Sequence, residues 1–168
     1  KIVVVDHVFL EKEHVEKLKA LGDLTVYGEP PKNEDELTQR VGSAEIVVVG
    51  WSHLTRGVIE SAKGLRMISI WATTCHYADH EAAKERGVVV THVPGYATEA
   101  VAEHALALLL TATRKLLAAD HHVRQGMFDW RPFRGTELAG KTIGIVGTGA
   151  IGCRVGEIAK GFGMRILG

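Results

Sequence analysis

The chain has no excess of either charge, because its twenty Lys and Arg residues are matched by twenty Asp and Glu residues. A protein without a strong net field has no evident attraction for nucleic acid or for an acidic membrane, so neither is expected as a partner. Long hydrophobic runs are also absent, since the longest, Ala105 to Leu110, is too short to cross a bilayer. The first residues, Lys1 to Asp6, have the pattern of a strand rather than of a signal peptide. We therefore expect a soluble, cytoplasmic protein.

Cysteine is scarce as well. The chain has two, Cys75 and Cys153, which lie far apart and form no C-x-x-C pair, as is typical of a reducing compartment. We interpret both as small buried or half-buried residues. A catalytic thiol at Cys75 beside His76 is disfavoured, because neighbours in the chain rarely face each other. What the chain does have is 46% hydrophobic residues, enough to build the core of one domain or of a small pair.

Residues 1–97 alternate short apolar runs with helical patterns. The predicted strands are Ile2 to Val5, Leu24 to Tyr27, Ile46 to Val49, Met67 to Trp71 and Val88 to His92, and the predicted helices lie near Glu11 to Ala20, Glu34 to Val41, Arg56 to Ala62 and Asp79 to Glu85. The valine-rich runs are continuous rather than alternating, which is typical of strands covered on both faces. Strands and helices in strict alternation predict an α/β fold, here a flavodoxin-like doubly wound parallel sheet forming a first domain.

Residues 98–168 form the second predicted domain, which opens with a long interdomain helix from Thr98 to about Arg124, capped by Thr98. The first half of this helix is apolar nearly all round, so we expect it to be buried between two bodies. An arm follows, Gln125 to Leu138, which carries Phe128, Trp130 and Phe133 and is too aromatic to be simply solvated.

The last predicted unit, Lys141 to Gly168, has a strand (Thr142 to Val146), a glycine turn, a helix (about Cys153 to Gly161) and a second strand (Met164 to Leu167). In this G-x-G-x-x-G pattern, Gly147 permits a tight turn, Gly149 lets a pyrophosphate approach the backbone, and Gly152 lets helix and strand pack closely. The unpaired N–H groups at the helix start suit phosphate. The pattern predicts a truncated Rossmann βαβ unit that binds a dinucleotide.

The fingerprint also places an acidic residue, which holds the ribose, about 20 residues beyond its first glycine. That position falls at Leu167 and Gly168, and neither is acidic. The sequence therefore leaves NAD and NADP both open as the cofactor.

Three blocks in this order carry a more specific signal: VTHVPGYATEAVAEHALALLL (residues 90–110), the arm around Trp130, and RGTELAGKTIGIVGTGAIG (residues 134–152). With them the whole chain resembles the NAD-dependent D-2-hydroxyacid dehydrogenases. The resemblance implies hydride transfer between a nicotinamide and a small 2-hydroxy or 2-oxo acid, in a cleft between a substrate domain and a Rossmann domain.

The resemblance also implies two sets of binding residues. The loop after the fourth strand would offer backbone N–H groups to the substrate carboxylate, through Ala72, Thr73 and Thr74. The cofactor contacts that it implies are Thr73, Gly147, Gly149, Ala150, Ile151 and Gly152. This chain departs from the family where Ala72 and Thr74 replace frequent glycines and where His76-Tyr77 replaces an Asp-Asn pair, so the carboxylate site is expected to differ in shape.

The family's catalytic arginine, glutamate and histidine lie beyond residue 168, so no catalytic residue is assigned within the chain. We expect the 168 residues to be inactive alone, with weak or absent binding of NAD or NADP. The alternative is a non-catalytic module, derived from the family, that oligomerises or binds a ligand. In either case the apolar helix and arm over residues 98–130 predict a homodimer. A phosphoacceptor domain is disfavoured, because Asp6 stands without the acidic cluster that it would need.

The chain has nine histidines, some of which are candidates to replace the missing acid or base. His76 and His80 have the i, i+4 spacing of metal ligands on a helix, but no third ligand is evident, so no metal site is predicted. His53 and His76 follow strands and are placed to line a cleft. His104 is expected to be a core residue, and His121-His122 to be solvated.

Overall fold

The computed structural model describes residues 1–168, which divide into two compact units, Lys1–Pro94 and Gly95–Gly168. In the first unit the strands are β1 (Ile2–Val4), β2 (Leu24–Val26), β3 (Ile46–Val49), β4 (Met67–Ile70) and β5 (Val89–Thr91), and the helices are α1 (Lys12–Leu21), α2 (Glu34–Val41), α3 (Arg56–Ser61) and α4 (His80–Glu85). All pairings are parallel, in the order β2-β1-β3-β4-β5. The predicted flavodoxin-like sheet is confirmed.

The core of the first unit follows from its continuous apolar strands. The side chains of β1 are all buried, and the inward residues of β3 and β4 are fully buried among the helices. Local signals fix the helix starts: Asn33 accepts a hydrogen bond from the Glu36 N–H at 2.9 Å, and Asp79 accepts one from the Ala82 N–H at 2.8 Å. Because all five strands are parallel, their carboxyl ends lie at the same edge of the sheet. The loops that follow β1, β3 and β4 begin at this edge.

The second unit contains helices α5 (Thr98–Thr113) and α6 (Leu116–Arg124), a short 3-10 turn (Arg131–Phe133), and a βαβ element made of β6 (Thr142–Gly144), α7 (Ala150–Gly161) and β7 (Arg165–Leu167). The strands β6 and β7 are parallel. The predicted βαβ element is therefore present, although α7 begins at Ala150, earlier than predicted, because Gly149 serves as its N-cap. No helix of the chain combines the length and apolar character needed to span a membrane.

The predicted single helix from Thr98 to Arg124 is wrong, because the chain breaks between α5 and α6. Lys115 adopts left-handed backbone angles, with φ 54° and ψ 36°. The carbonyl of Thr113 accepts a hydrogen bond from the Thr136 N–H at 2.9 Å, where a continuous helix would supply Leu117. Thr98 is also the first helical residue rather than the cap, and no side chain caps this helix.

The helix α5 packs against the βαβ element around a small core of Leu106, Leu138, Ala159 and Met164. Ile143 and Ile166 are half-buried and pack against this core. Other apolar side chains of the second unit are exposed to solvent. On the strands and the segment after β6 they are Val146 and Leu167, and over residues 98–130 they are Val101, Leu108, Leu116, Leu117, Val123, Met127, Phe128 and Trp130.

Candidate functional site

Asp6 follows β1 at the edge where parallel sheets bind ligands, but it is not available to one. The side chain is fully buried, and its two oxygens accept the N–H groups of Gly50 at 2.8 Å, Trp51 at 2.9 Å and Ser52 at 2.6 Å. Asp6 thus fixes the loop after β3. The sequence did not reveal this role, because its partners lie 44 to 46 residues away.

The loop after β4 has its carbonyl groups turned toward the protein. The Ala72 carbonyl accepts from the Val93 N–H at 3.1 Å, and the Tyr77 carbonyl accepts from the Leu54 N–H at 2.9 Å. By contrast, the N–H groups of residues 72–75 donate to no protein acceptor. Successive backbone donors without protein partners are groups to which an anion can bind. This geometry falls on Ala72, Thr73 and Thr74, the residues predicted to bind a carboxylate.

Two histidine rings complete the anchoring of this loop. The Nε2 atom of His80 lies 2.6 Å from the Cys75 carbonyl oxygen, and the Nδ1 atom of His92 lies 3.2 Å from that of Thr73. A carbonyl oxygen only accepts a hydrogen bond. The Nε2 atom of His80 and the Nδ1 atom of His92 are therefore the donors, and each carries a proton. The sequence alone predicts no role for His92, which directly follows β5 and precedes Val93.

The other histidines differ from expectation in part. The predicted pairing of His76 with His80 on one helix is wrong, because α4 begins at His80 and His76 lies in the preceding turn. His53 and His76 are both exposed at the edge of the sheet where the strands end. His104 is exposed rather than buried in a core. His122 is half-buried, with its ring centroid 5.0 Å from that of Phe133, so the solvated interpretation fails for it.

The glycine turn of the second unit has the backbone that its sequence predicts. Gly147 has φ +98°, a conformation that disfavours other residues. A Cβ atom on Gly152 would lie 2.0 Å from the Gly147 carbonyl oxygen, so that close approach requires glycine. A Cβ atom on Gly149 would meet nothing within 4 Å, which leaves open space in front of the turn.

The start of α7 presents unpaired donors to that space. The N–H groups of Ala150, Ile151 and Gly152 have no protein acceptor, and no side chain caps the helix. Together with the positive end of the helix dipole, they form a site whose chemistry fits a phosphate group. Because the space before Gly149 is open and the donors are free, the residues present fit the pyrophosphate of a dinucleotide.

Charged groups near the turn are already paired. Arg154, on the second turn of α7, donates to Glu99 at 2.8 Å and to Glu157 at 2.9 Å. Hydrogen bonds to Glu157 and then to Glu99 raise the pKa of Arg154 above its ordinary value. Cys153 is exposed, contrary to expectation, and its thiol lies 3.2 Å from the Thr148 carbonyl oxygen. No cluster of three or more His, Cys, Asp or Glu side chains is placed to hold a metal ion.

Three cavities of the first unit have no residue of the loop after β4 in their linings. One of about 670 Å³ lies at the opposite edge of the sheet, among residues that include Glu45, Arg66 and Arg86. Arg86 is occupied there in donating to three carbonyls at the end of α3. Two smaller cavities, of about 380 and 440 Å³, flank the exposed Trp51. The candidate carboxylate site is therefore identified by the free N–H groups of residues 72–75 and not by the volume of a cavity.

The chain is similar to proteins of a known family. A family model described as "D-isomer specific 2-hydroxyacid dehydrogenase, catalytic domain" matches residues 2–157. The D-3-phosphoglycerate dehydrogenase of Methanocaldococcus jannaschii is 36% identical over 169 residues, covering 100% of this chain and 32% of the relative. The glyoxylate reductase of Aeropyrum pernix is 36% identical over 176 residues, covering 99% of this chain and 52% of the relative.

The fold of the chain is also similar to that of a solved reductase structure. An acyclic imino acid reductase, solved in complex with NADPH and D-Arg, is similar with a TM-score of 0.83 and 36% identity, covering 97% of this chain and 53% of that one. The chain thus spans about a third to a half of the length of the proteins that it matches.

Proposed function

The chain belongs to the D-isomer specific 2-hydroxyacid dehydrogenase family, and on that premise we propose that a protein containing these residues transfers a hydride between a nicotinamide and a small 2-hydroxy or 2-oxo acid. The observation that carries the proposal is the loop after β4, whose carbonyls are tied back while the N–H groups of residues 72–75 are free. Such a loop suits the carboxylate that every 2-oxo acid carries. Ala72, Thr73 and Thr74 are the residues proposed to bind it.

The second half of the proposal concerns the cofactor. The turn Gly147 to Gly152, with the free N–H groups of Ala150 and Ile151, would hold the pyrophosphate of NAD or NADP. Thr73 is proposed as a further cofactor contact on the side of the first unit. When bound, the nicotinamide supplies or accepts the hydride. The similarity to a reductase solved with NADPH keeps the phosphorylated cofactor among the candidates.

Glyoxylate and hydroxypyruvate are the proposed substrates to try first. Relatives named glyoxylate reductase and hydroxypyruvate reductase cover nearly the whole of this chain. The competing proposal is a non-catalytic module that binds a ligand or oligomerises. The discriminating observation is the intact mass of the protein as it is produced from its gene, because a product of 168 residues would favour the module.

We expect the 168-residue chain alone to show no measurable turnover of hydroxypyruvate, glyoxylate or pyruvate with NADH. General acid–base catalysis contributes about 10²- to 10⁴-fold, and the groups that supply it in this family are assigned to no residue of this chain. The measurement is NADH absorbance with purified protein. Robust reduction, free of any longer contaminant by mass spectrometry, would contradict the expectation and would direct attention to the exposed His53 and His76.

We also propose that the chain forms a homodimer through residues 98–130. The apolar side chains exposed along α6 and the arm include Leu117, at 77% exposure, and Phe128, at 92%. Burying a side chain of this kind contributes about 1.5–3 kcal/mol, so a two-fold partner that covers several of them gains stability.

Light scattering after size exclusion tests this assembly. The wild-type chain is expected at twice its monomer mass at micromolar concentration, and Leu117→Glu is expected to shift it toward monomer. Leu21→Glu is the matched control, because Leu21 on α1 is also 77% exposed but lies outside the proposed interface. A monomeric wild type, with residues 142–167 protected from hydrogen exchange, would refute the dimer.

A further inference from the structure

Each anchored carbonyl in the loop after β4 determines the direction of one N–H group. The carbonyl of one residue and the N–H of the next belong to the same planar trans peptide unit and point in opposite directions. The Thr73 carbonyl, held by His92, therefore directs the N–H of Thr74 away from His92. The Cys75 carbonyl, held by His80 at 2.6 Å, does the same for the N–H of His76.

The two histidines differ from the other anchors of this loop. The Ala72 and Tyr77 carbonyls are held by backbone N–H groups of Val93 and Leu54, which any sequence with this backbone supplies. The peptide units after Thr73 and Cys75 depend on side chains instead. The anchors there are His92, directly after β5, and His80 at the start of α4, so the loop is held from two separate parts of the first unit.

We propose that His80 and His92 are positioning residues of the carboxylate site, an inference that rests on the proposed function of the loop. They touch the loop carbonyls rather than the substrate, and they hold the N–H groups of Thr74 and His76 in the direction from which an anion binds. Neither residue contributes to the hydrophobic core, since both are exposed. Their loss should therefore weaken anion binding while the fold is kept.

Matched substitutions separate a hydrogen bond from mere bulk. In His92→Asn the amide nitrogen can take the place of Nδ1, and in His80→Gln the amide nitrogen can take the place of Nε2. His92→Leu and His80→Leu remove the donor and keep apolar volume. His104→Leu is the control for losing a histidine, because the His104 ring is exposed and makes no side-chain hydrogen bond.

The experiment is a titration of the ¹⁵N-labelled 168-residue chain with oxalate, a planar dicarboxylate, followed by NMR at the amides of Thr73, Thr74 and His76. These amides should shift in the wild type. Each leucine variant should bind oxalate about 3- to 10-fold more weakly, as expected for one lost hydrogen bond. The Asn and Gln variants and His104→Leu should bind like the wild type, and alanine replaces leucine in any variant whose spectrum is not folded.

Two outcomes would overturn the inference in distinguishable ways. If the leucine or alanine variants bind oxalate as tightly as the wild type, the histidines do not position the loop, while the carboxylate site itself stands. If the wild type shows no shift at these three amides, the proposed carboxylate site fails and the positioning role fails with it.

Discussion

Replacing Asp6 with alanine is expected to lower the free energy of unfolding of the first unit by about 3–5 kcal/mol. The carboxylate is fully buried and accepts three backbone N–H groups, those of Gly50, Trp51 and Ser52. Hydrogen bonds to a charged acceptor contribute about 1.5–3 kcal/mol each, and donors left buried without a partner cost about 1–3 kcal/mol. Hydrogen exchange of the β1 and β3 amides measures the loss within the unit concerned.

Asp6→Asn is the matched variant, because it keeps the shape and removes one acceptor. Its NH₂ group must face at least one of the three N–H donors, so a smaller loss of about 1–3 kcal/mol is expected. If alanine and asparagine both leave exchange of the β3 amides unchanged, Asp6 does not hold this loop. The site around Asp6 is tightly packed, since a Cβ atom on the adjacent Gly50 would lie 2.8 Å from Val8 Cγ1. Replacing Asp6 with tyrosine or histidine would therefore be uninformative, because the larger side chain has no room.

Local sequence signals were sufficient to predict the first unit. Continuous β-branched runs indicate strands buried on both faces, and Asn33 and Asp79 mark helix starts with side chains that bond within three residues. Parallel order then follows from the alternation of strands and helices. The glycine turn is local in the same sense, since the positive φ of Gly147 and the close approach at Gly152 both arise within six residues.

The features that sequence reasoning missed depend on contacts between distant residues. The helix break at Lys115 has no proline or glycine to announce it and follows from the hydrogen bond between Thr136 and Thr113. In the sequence Asp6 is an isolated acid, whereas in the structure its two oxygens accept three N–H groups of the loop after β3. His92 reaches the Thr73 carbonyl because β5 pairs with β4, a contact between residues 19 positions apart. Periodicity and capping rules describe neighbours in the chain, so they give no access to such pairs.

Gly152→Ala is expected to destabilise the second unit by about 3 kcal/mol or more. The added Cβ atom would lie 2.0 Å from the Gly147 carbonyl oxygen and 3.1 Å from Ile145 Cγ2. Neither neighbour can move freely, because one is backbone of the glycine turn and the other belongs to the segment that follows β6. The expected result is loss of protection from hydrogen exchange across α7 and β7, with the first unit unchanged.

Gly149→Ala, three residues earlier on the same turn, is expected to separate binding from folding. Gly149 has φ −74° and ψ −170°, angles that alanine adopts, and its Cβ atom would meet nothing within 4 Å. Glycine is a better N-cap than alanine, but the change in stability should still stay within about 1 kcal/mol. The new methyl group would instead occupy the space through which a pyrophosphate approaches the free N–H groups of α7. The measurement is an NMR titration with NADH, followed at the amides of Ala150 and Ile151. The dissociation constant for NADH should rise at least about tenfold in the variant, even where the wild-type constant is millimolar. A Gly149→Ala chain that binds NADH as the wild type does would show that the dinucleotide does not contact this turn.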